Sequence, residues 1–160
     1  MLKHLARWLR TAGYDALDVL GVDGRTMIAL AADENRLLLS CAKSLAEHKS
    51  AQGVLFLLPN NELEANALLL RDKMSVDWLY RPLSRCRLCN MELKEACEDD
   101  YGKVPPKSSA NPGELKKCPR CARLYWPGSH SERMMNTLDL WMQIPSTSAK
   151  RELPENSDVA

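Results

Sequence analysis

Hydrophobic residues recur at helical spacing near the start of the chain, in LKHLARWLRTA, residues 2–12. Side chains three or four positions apart share one face of a helix. The apolar face of this segment consists of Leu2, Leu5, Leu9 and Ala12. The opposite, basic face consists of Lys3, Arg7 and Arg10. Gly13 follows, and glycine commonly ends a helix, so the pattern predicts an amphipathic helix over residues 2–12.

Short apolar runs alternate with further helical segments up to residue 81. The predicted strands are Tyr14–Leu20, Leu37–Ser40 and Gly53–Leu58. The predicted helices cover residues 25–35, 42–49 and 60–73, the last with Asn60 or Asn61 as its N-cap. Alternating strands and helices imply a parallel sheet joined by crossover connections. We therefore predict an α/β domain over residues 1–81.

The composition of the chain changes near Pro82. Residues 82–130 are rich in Cys, Pro, Gly and charge and have no long periodic run, which indicates a second, smaller module. Ser129 is a candidate N-cap for a helix that runs through Leu138 and Trp141. We assign residues 82–142 to this module. The sequence from Pro145 onward is polar and has few bulky side chains, so we assign residues 143–160 to a disordered tail.

Four of the six cysteines form two CxxC pairs, Cys86 with Cys89 and Cys118 with Cys121. Two such pairs supply the four thiolates that a structural zinc site needs. A module this small buries little apolar surface, so the metal would supply folding free energy. The alternative is that the two CxxC pairs are unrelated to each other or form disulfides. Cys97 is left as a free thiol, and His130 lies beyond an already complete set of ligands.

Cysteine usage and charge limit the cellular setting. Disulfide frameworks belong mainly to short secreted chains, so we expect a reduced, intracellular protein of the cytoplasm or nucleus. No apolar run reaches the roughly 18 residues of a membrane span, and the basic first helix does not resemble a signal peptide. The formal net charge of +1 excludes a histone-like, strongly basic protein. A net charge near zero still allows local basic patches on the surface.

Basic residues surround the cysteine pairs. They are Arg81, Arg85, Arg87, Lys116, Lys117, Arg120 and Arg123. Tyr125 and Trp126 lie among them, and positive charge with interleaved aromatic rings is typical of nucleic-acid binding. The alternative is that these cations offset the charge of a tetrathiolate metal cluster. The sequence leaves both interpretations open.

Acidic residues in the first domain raise the possibility of metal-dependent phosphodiester cleavage. The candidates are Asp15, Asp18, Asp23, Asp33 and Glu34. Asp23 is best placed because it follows the first predicted strand, although a surface or capping role is the alternative for each. Cys41 suggests a different chemistry, with His48 as its base. His48 lies about two helical turns further on, so a buried, apolar thiol is the default interpretation of Cys41.

Several motifs in order resemble the Mut-seven C-terminal family. They are MLKHLARWLRTAGYDA, RLLLS, CRLCN, VPP and CPRCARLYWPGSHSERM, spread over residues 1–140. The resemblance implies a PIN-like ribonuclease domain, with a parallel sheet and flanking helices, fused to a zinc ribbon. It also implies that such a chain is the C-terminal part of a larger exonuclease.

The chain departs from the family pattern at the expected catalytic acids. The family's first strand and its acid precede the Met-Leu with which this sequence begins, so we expect that strand to be missing. The second acid corresponds to Asp23 or, by strict register, to Gly24, and we take Asp23 as its carrier. The third corresponds to Ala42, because the family motif Leu-Leu-Thr-Arg-Asp is Leu38–Ala42 here. Two of about three acids for Mg²⁺ or Mn²⁺ are therefore absent, and we expect that ion to bind poorly.

These observations lead to a prediction of function. We expect an RNA-binding module of a 3′–5′ exonuclease-type protein, with a degenerate PIN-like nuclease site and a structural zinc ion. The predicted RNA-contacting residues are Arg7, Arg10, Arg87, Arg120, Arg123, Tyr125 and Trp126. The alternatives are a residual metal-dependent ribonuclease that uses Asp23, or a protein-interaction module that contacts other subunits or the rest of a larger exonuclease.

Overall fold

The computed structural model describes residues 2–19, 21–104 and 114–146. Its first part contains α1 (Lys3–Thr11), α2 (Gly24–Asp33), β1 (Leu38–Ser40), β2 (Leu55–Leu57) and α3 (Leu63–Met74). Its second part contains β3 (Lys94–Glu95), α4 (Glu98–Tyr101), β4 (Lys116–Lys117), β5 (Leu124–Tyr125) and α5 (Ser129–Gln143). β1 and β2 are parallel, whereas β3, β4 and β5 form an antiparallel sheet. The predicted α/β fold with a second, smaller ribbon is confirmed.

The main hydrophobic core lies between α1, α3 and α5. It consists of Leu5, Leu9, Ala12, Leu58, Ala67, Leu70, Trp78, Leu138 and Trp141. The ring of Trp141 meets the rings of Trp8 and Trp78 edge to face, at 5.0 and 4.9 Å between centroids. α1 therefore buries the apolar face that its spacing predicts. Helix α5 follows the ribbon in the chain, yet it packs into the core of the first part.

The predicted strand over Tyr14–Leu20 is wrong for its described residues, which form no strand. Residue 20 itself lies outside the described residues. At the middle of this segment, side chains rather than a neighbouring strand bond the backbone of Ala16. The Arg10 Nε donates to the carbonyl of Ala16 at 2.6 Å, and the N–H of Ala16 donates to the side-chain oxygen of Asn90 at 3.2 Å.

The predicted helix over residues 42–49 is confirmed only in part. The chain forms two short 3₁₀ helices, Lys43–Glu47 and Lys49–Ala51, with extended backbone at His48 between them. Leu45 and Ala51 both enter a small second core with Ile28. In a straight α-helix, side chains six residues apart are rotated by about 600°, so they point to different faces. One straight helix would therefore bury only one of these two residues. The break at His48 lets both be buried.

Two helix starts differ from their predicted caps. The side chain of Asn60 accepts a hydrogen bond from the N–H of Glu62 at 2.9 Å, in a turn before α3, and Glu62 is the residue at the N-cap. Ser129 is the first residue of α5 rather than its cap. The side chain of Ser131 accepts a hydrogen bond from the N–H of Gly128 at 2.8 Å and closes that first turn.

The predicted division at residues 81 and 82 stays a prediction, and so does the tail. Leu138 and Trp141, which that division assigns to the second module, are buried in the first core. The carbonyl of Ile144 accepts a hydrogen bond from Arg71, and the predicted tail from residue 147 onward lies outside the described residues. In the described part of the chain, no helix has both the length and the apolar character needed to cross a membrane.

Candidate metal centre and basic groove

The two cysteine pairs lie in turns with the same backbone hydrogen bonds. In each, the N–H of the first cysteine, Cys86 or Cys118, donates to the carbonyl five residues later, at 2.8 and 2.9 Å. The N–H four residues later donates back to the carbonyl of that cysteine, at 2.9 and 3.0 Å. The residue at this fourth position has a positive φ, 65° for Asn90 and 57° for Ala122. The repeated geometry directs two thiols from each turn toward one point.

The four sulfur atoms of Cys86, Cys89, Cys118 and Cys121 all lie within 4.8 Å of one another. The sulfurs of Cys86 and Cys121 are 3.7 Å apart, and a tetrahedral zinc ion with bonds of about 2.3 Å separates its sulfurs by about 3.8 Å. Within residues 2–19, 21–104 and 114–146, this is the one group of three or more Cys, His, Asp or Glu side chains at metal-binding spacing. The four thiols are therefore arranged so that they could hold one metal ion.

The four thiols also differ in how readily they ionise. Burial opposes ionisation of Cys86, but the Tyr125 hydroxyl, which donates to the Cys86 sulfur at 3.1 Å, and backbone N–H groups lower the pKa of Cys86 to about 7. Burial and the neighbouring sulfurs of Cys121 and Cys86 raise the pKa of Cys89 to about 12. Thiolates this close repel one another unless a bound cation compensates their charge. The donor set therefore fits a divalent metal that prefers sulfur.

Arg10 joins the ribbon to α1. Only 5% of its surface is exposed, and its Nη1 donates to the carbonyls of Arg87 at 3.0 Å and Leu88 at 3.1 Å, inside the first cysteine turn. Burial lowers the pKa of its guanidinium. The sequence places Arg10 on the exposed, basic face of the first helix, and the structure corrects this. All of its described contacts are internal, because the ribbon covers that part of the helix.

Asp15 and Asn90 form a second link between the ribbon and the first part. The amide nitrogen of Asn90 donates to a carboxylate oxygen of Asp15 at 2.5 Å, and Arg36 pairs with the other oxygen at 2.9 Å. The hydrogen bond from Arg36 is the main reason that the pKa of Asp15 lies below its ordinary value. One of the predicted metal-binding acids is therefore engaged in structural contacts.

A groove of 1180 Å³ runs between α1, the first cysteine turn, the ribbon hairpin and the start of α5. Its lining includes five of the predicted RNA-contacting residues, Arg7, Arg87, Arg123, Tyr125 and Trp126. It also includes Lys116 and His130. Arg120 is exposed but lies outside this lining, and so does the buried Arg10. The fold thus brings together side chains from positions 7 to 130 of the sequence.

Three arginines of the groove form no ion pair with a described carboxylate, although Glu114 and Glu132 also line it. Among the residues that the structure describes, Arg7, Arg87 and Arg123 make no ion pair with a carboxylate. The guanidinium of Arg87 lies over the ring of Trp8, 5.7 Å from its centroid. Burial, followed by the charge of Arg7, lowers the pKa of Arg87. The groove is therefore a concave, positively charged surface with aromatic rings in its walls.

Asp23, the candidate catalytic acid, caps helix α2. Its carboxylate accepts hydrogen bonds from the N–H groups of Arg25 and Thr26, at 2.9 and 3.1 Å, and from the Thr26 hydroxyl at 2.7 Å. These bonds, with that of the Thr26 side chain first, lower the pKa of Asp23. No pair of further Asp, Glu or His side chains joins Asp23 at metal-binding spacing in the described part of the chain.

The end of β1, where the alternative nucleophile Cys41 lies, opens into a second groove of 850 Å³. Its walls are mainly aliphatic and include Leu17, Leu37 and Met74, each more than a third exposed. The thiol of Cys41 donates to the carbonyl of Asn60 at 2.7 Å. Nothing in the described hydrogen bonding joins it to His48, so the proposed base has no contact with the thiol.

Sequence reasoning missed several residues that build the site. Trp8 supports Arg87, Asn90 holds Asp15, and His130 lies 3.4 Å from Arg87. Asn90 had one local signal, because asparagine is favoured at positive φ. The partners of Trp8 and His130 are distant in the chain and have no local signal. Cys97 lies outside the metal cluster as a free thiol, as predicted.

The fold and the four-cysteine cluster define an α/β protein with a ribbon whose cysteines could hold a metal ion. The family model of the Mut7-C RNAse domain matches residues 1–138. The chain belongs to the Mut7-C RNAse domain family, which confirms the predicted relationship. No curated protein sequence matches the chain, and no solved structure matches it. The family indicates a nuclease-like or RNA-binding role.

Proposed function

We propose that the chain is an RNA-binding module of a larger exonuclease-type protein, and that RNA lies in the basic groove. The observation that carries the proposal is the set of three arginines without carboxylate partners, Arg7, Arg87 and Arg123, beside Trp126 in one concave surface. The family supports a role in RNA chemistry. Arg7 extends the basic surface beyond the cysteine turns, because it belongs to α1.

The physical basis is release of counterions together with base stacking. Each phosphate neutralised by an arginine releases condensed cations into solution, so affinity falls as salt rises. A half-exposed ring such as that of Trp126 offers a face for a base, and such stacking contributes about 1–3 kcal/mol per base. Stacking requires unpaired bases, which favours single-stranded RNA. Arg120 lies outside the groove, so we expect it to attract RNA only through its charge at a distance. Arg10 also lies outside the groove, and we assign it a structural role inside the protein.

Titration of fluorescent single-stranded RNA over a range of salt concentrations tests this proposal. The Arg7→Ala and Arg123→Ala variants should each weaken binding and reduce the slope of log K against log salt by about 0.7. Arg25→Ala is the matched control, because Arg25 is exposed on α2 and does not line the groove. Unchanged affinity in both groove variants, with the protein folded, would contradict the proposal.

Zinc is the ion that we propose for the four-cysteine centre. Four thiolates at tetrahedral spacing suit zinc and leave no open coordination position, so the ion would be structural rather than catalytic. Metal analysis of the purified chain should find about one zinc ion, reduced to none in Cys121→Ser and retained in Cys41→Ser. Cys41 is a suitable control because it lies outside the cluster.

Cleavage by a Mg²⁺ or Mn²⁺ ion at Asp23 receives no support from the geometry, since that carboxylate caps a helix. We therefore propose that the chain binds RNA but does not cleave it at Asp23. Cleavage of RNA that depends on Mn²⁺ and disappears in Asp23→Asn would contradict this part. Contact with other protein subunits stays a prediction.

A further inference from the structure

The backbone of Arg87 is held on both sides by contacts within the protein. Its N–H donates to the Tyr125 hydroxyl at 3.2 Å, and its carbonyl accepts a hydrogen bond from Nη1 of Arg10 at 3.0 Å. The Tyr125 hydroxyl in turn donates to the Cys86 sulfur at 3.1 Å. The position of Arg87 at the groove is therefore fixed by β5 on one side and by α1 on the other.

The side chain of Arg87 is held by the ring of Trp8. The guanidinium lies over this ring, 5.7 Å from its centroid, and a cation is attracted to the negative face of an indole. The ring is itself fixed, because it packs edge to face on Trp141 at 5.0 Å. Arg87 lines the groove, whereas Trp8 does not. The arginine is thus oriented by a residue that lies outside the groove.

The guanidinium of Arg87 keeps hydrogen-bond donors for a ligand. It has five N–H donors and no acceptor. No described ion pair joins it to a carboxylate, and its one described side-chain contact at hydrogen-bond distance is with His130, at 3.4 Å. Phosphate oxygens accept hydrogen bonds from a guanidinium in pairs. An oriented arginine with free donors suits a phosphate of RNA.

The four-cysteine cluster is the alternative partner for the charge of Arg87. Four thiolates around one divalent ion carry a net negative charge, which a nearby arginine offsets. Arg10 already faces this charge, since burial lowers the pKa of its guanidinium and the charges of Asp18 and Cys86 are the largest that oppose the lowering. Removal of an arginine that serves the cluster should change metal binding, whereas removal of one that serves the groove should change RNA binding.

We propose that Trp8 is a positioning residue for RNA binding, which holds the Arg87 guanidinium in place for one phosphate and does not itself contact RNA. This inference rests on the proposed RNA binding and gives a part in it to a residue outside the groove. Without the indole face, the side chain of Arg87 would have to be ordered when RNA binds. Ordering one long side chain weakens affinity by about threefold to tenfold.

Titration of single-stranded RNA at several salt concentrations tests the inference. Arg87→Ala should weaken binding about tenfold or more and reduce the slope of log K against log salt by about 0.7. Trp8→Leu should weaken binding about threefold to tenfold with the slope unchanged, because the phosphate contact still forms. Trp8→Phe keeps an aromatic face and should restore most of the affinity. Tyr80→Leu is the matched control and should have no effect, because Tyr80 is an exposed aromatic residue outside the groove.

A double-mutant cycle separates positioning from damage to the fold. In the Arg87→Ala background, Trp8→Leu should have no further effect on affinity, whereas a disturbed fold or a direct contact of Trp8 with RNA would weaken binding in both backgrounds. If Trp8→Leu does not fold, the same cycle with Trp8→Phe gives the test on a smaller scale. Metal content should be the same in Arg87→Ala as in the parent chain.

The outcomes distinguish this inference from the proposed function. It is overturned if Trp8→Leu leaves affinity unchanged, if its effect persists without Arg87, or if Trp8→Phe restores nothing. Loss of metal with unchanged RNA affinity in Arg87→Ala would assign this arginine to the cysteine cluster and also overturn it. If Arg7→Ala, Arg87→Ala and Arg123→Ala all bind RNA as the parent chain does, the proposed function itself fails.

Discussion

Two arginines three residues apart on α1 have different roles. Arg7 lines the open groove, whereas Arg10 is buried and donates three hydrogen bonds to carbonyls of Ala16, Arg87 and Leu88. Hydrogen bonds between a charged donor and a buried carbonyl stabilise a fold by about 1.5–3 kcal/mol each. Arg10 therefore has a structural role, because its hydrogen bonds hold the first cysteine turn against α1.

This difference predicts opposite phenotypes for the two residues. Arg10→Ala should lower the free energy of unfolding by about 3 kcal/mol, because carbonyls inside the structure lose their donor. Arg7→Ala should change it by less than about 0.5 kcal/mol and weaken RNA binding instead. Urea unfolding followed by circular dichroism measures the first effect and RNA titration the second. A similar small loss of stability in both variants would contradict the assignment of Arg10.

At the scale of the element, the two cysteine turns carry the same backbone geometry on different residues. Asn90 tolerates its left-handed conformation and uses its side chain to bind Asp15. Ala122 takes the same conformation in the second turn, where its side chain is exposed. A left-handed backbone costs an L-residue with a Cβ roughly 1–2 kcal/mol. The second turn therefore carries more strain than the first, because asparagine tolerates this conformation better than alanine does.

The strain in the second turn gives a simple test with a matched control. Ala122→Gly should raise the free energy of unfolding of the metal-bound protein by about 1 kcal/mol, because glycine adopts this conformation without penalty. The same change at Ala29, an exposed position inside α2, should lower it by about 1 kcal/mol. Thermal unfolding of both variants at one zinc concentration measures the difference. Destabilisation by Ala122→Gly would show that the turn is not strained.

At the scale of the whole molecule, α5 closes the fold. Trp141 is 3% exposed and packs against Trp8 and Trp78. The Nη1 of Arg71, on α3, donates to the carbonyls of Trp141 and Ile144 at 2.6 and 2.5 Å, and so holds the end of α5. The N-terminus of this helix lines the groove. Loss of core packing near the C-terminal end of α5 should therefore disturb the groove at its N-terminal end.

Trp141→Ala should lower the free energy of unfolding by about 3–5 kcal/mol, the usual cost of removing a buried tryptophan. Leu140→Ala, one residue earlier on the same helix, should change it by less than about 0.5 kcal/mol because Leu140 is 51% exposed. Urea unfolding followed by circular dichroism compares the two. Equal effects would mean that α5 is not part of the main core.

Local patterns in the sequence were sufficient for several features. The spacing within LKHLARWLRTA determined the buried face of α1, since helical periodicity acts between near neighbours. The two CxxC pairs determined the metal centre, because each turn is built from residues close together in the chain. These predictions depend on short-range geometry alone, and the structure agrees with them.

Tertiary structure decided the features that depend on distant partners. The backbone of Ala16 bonds to the side chains of Arg10 and Asn90 instead of to a neighbouring strand. The helical segment after β1 breaks at His48, and Leu45 and Ala51 enter one core. The arginine at position 10 becomes internal only when the ribbon packs on α1. Arg87 and His130 meet only when α5 returns to the first part of the chain. Local sequence carries no information about such contacts, because their energies come from groups brought together by folding.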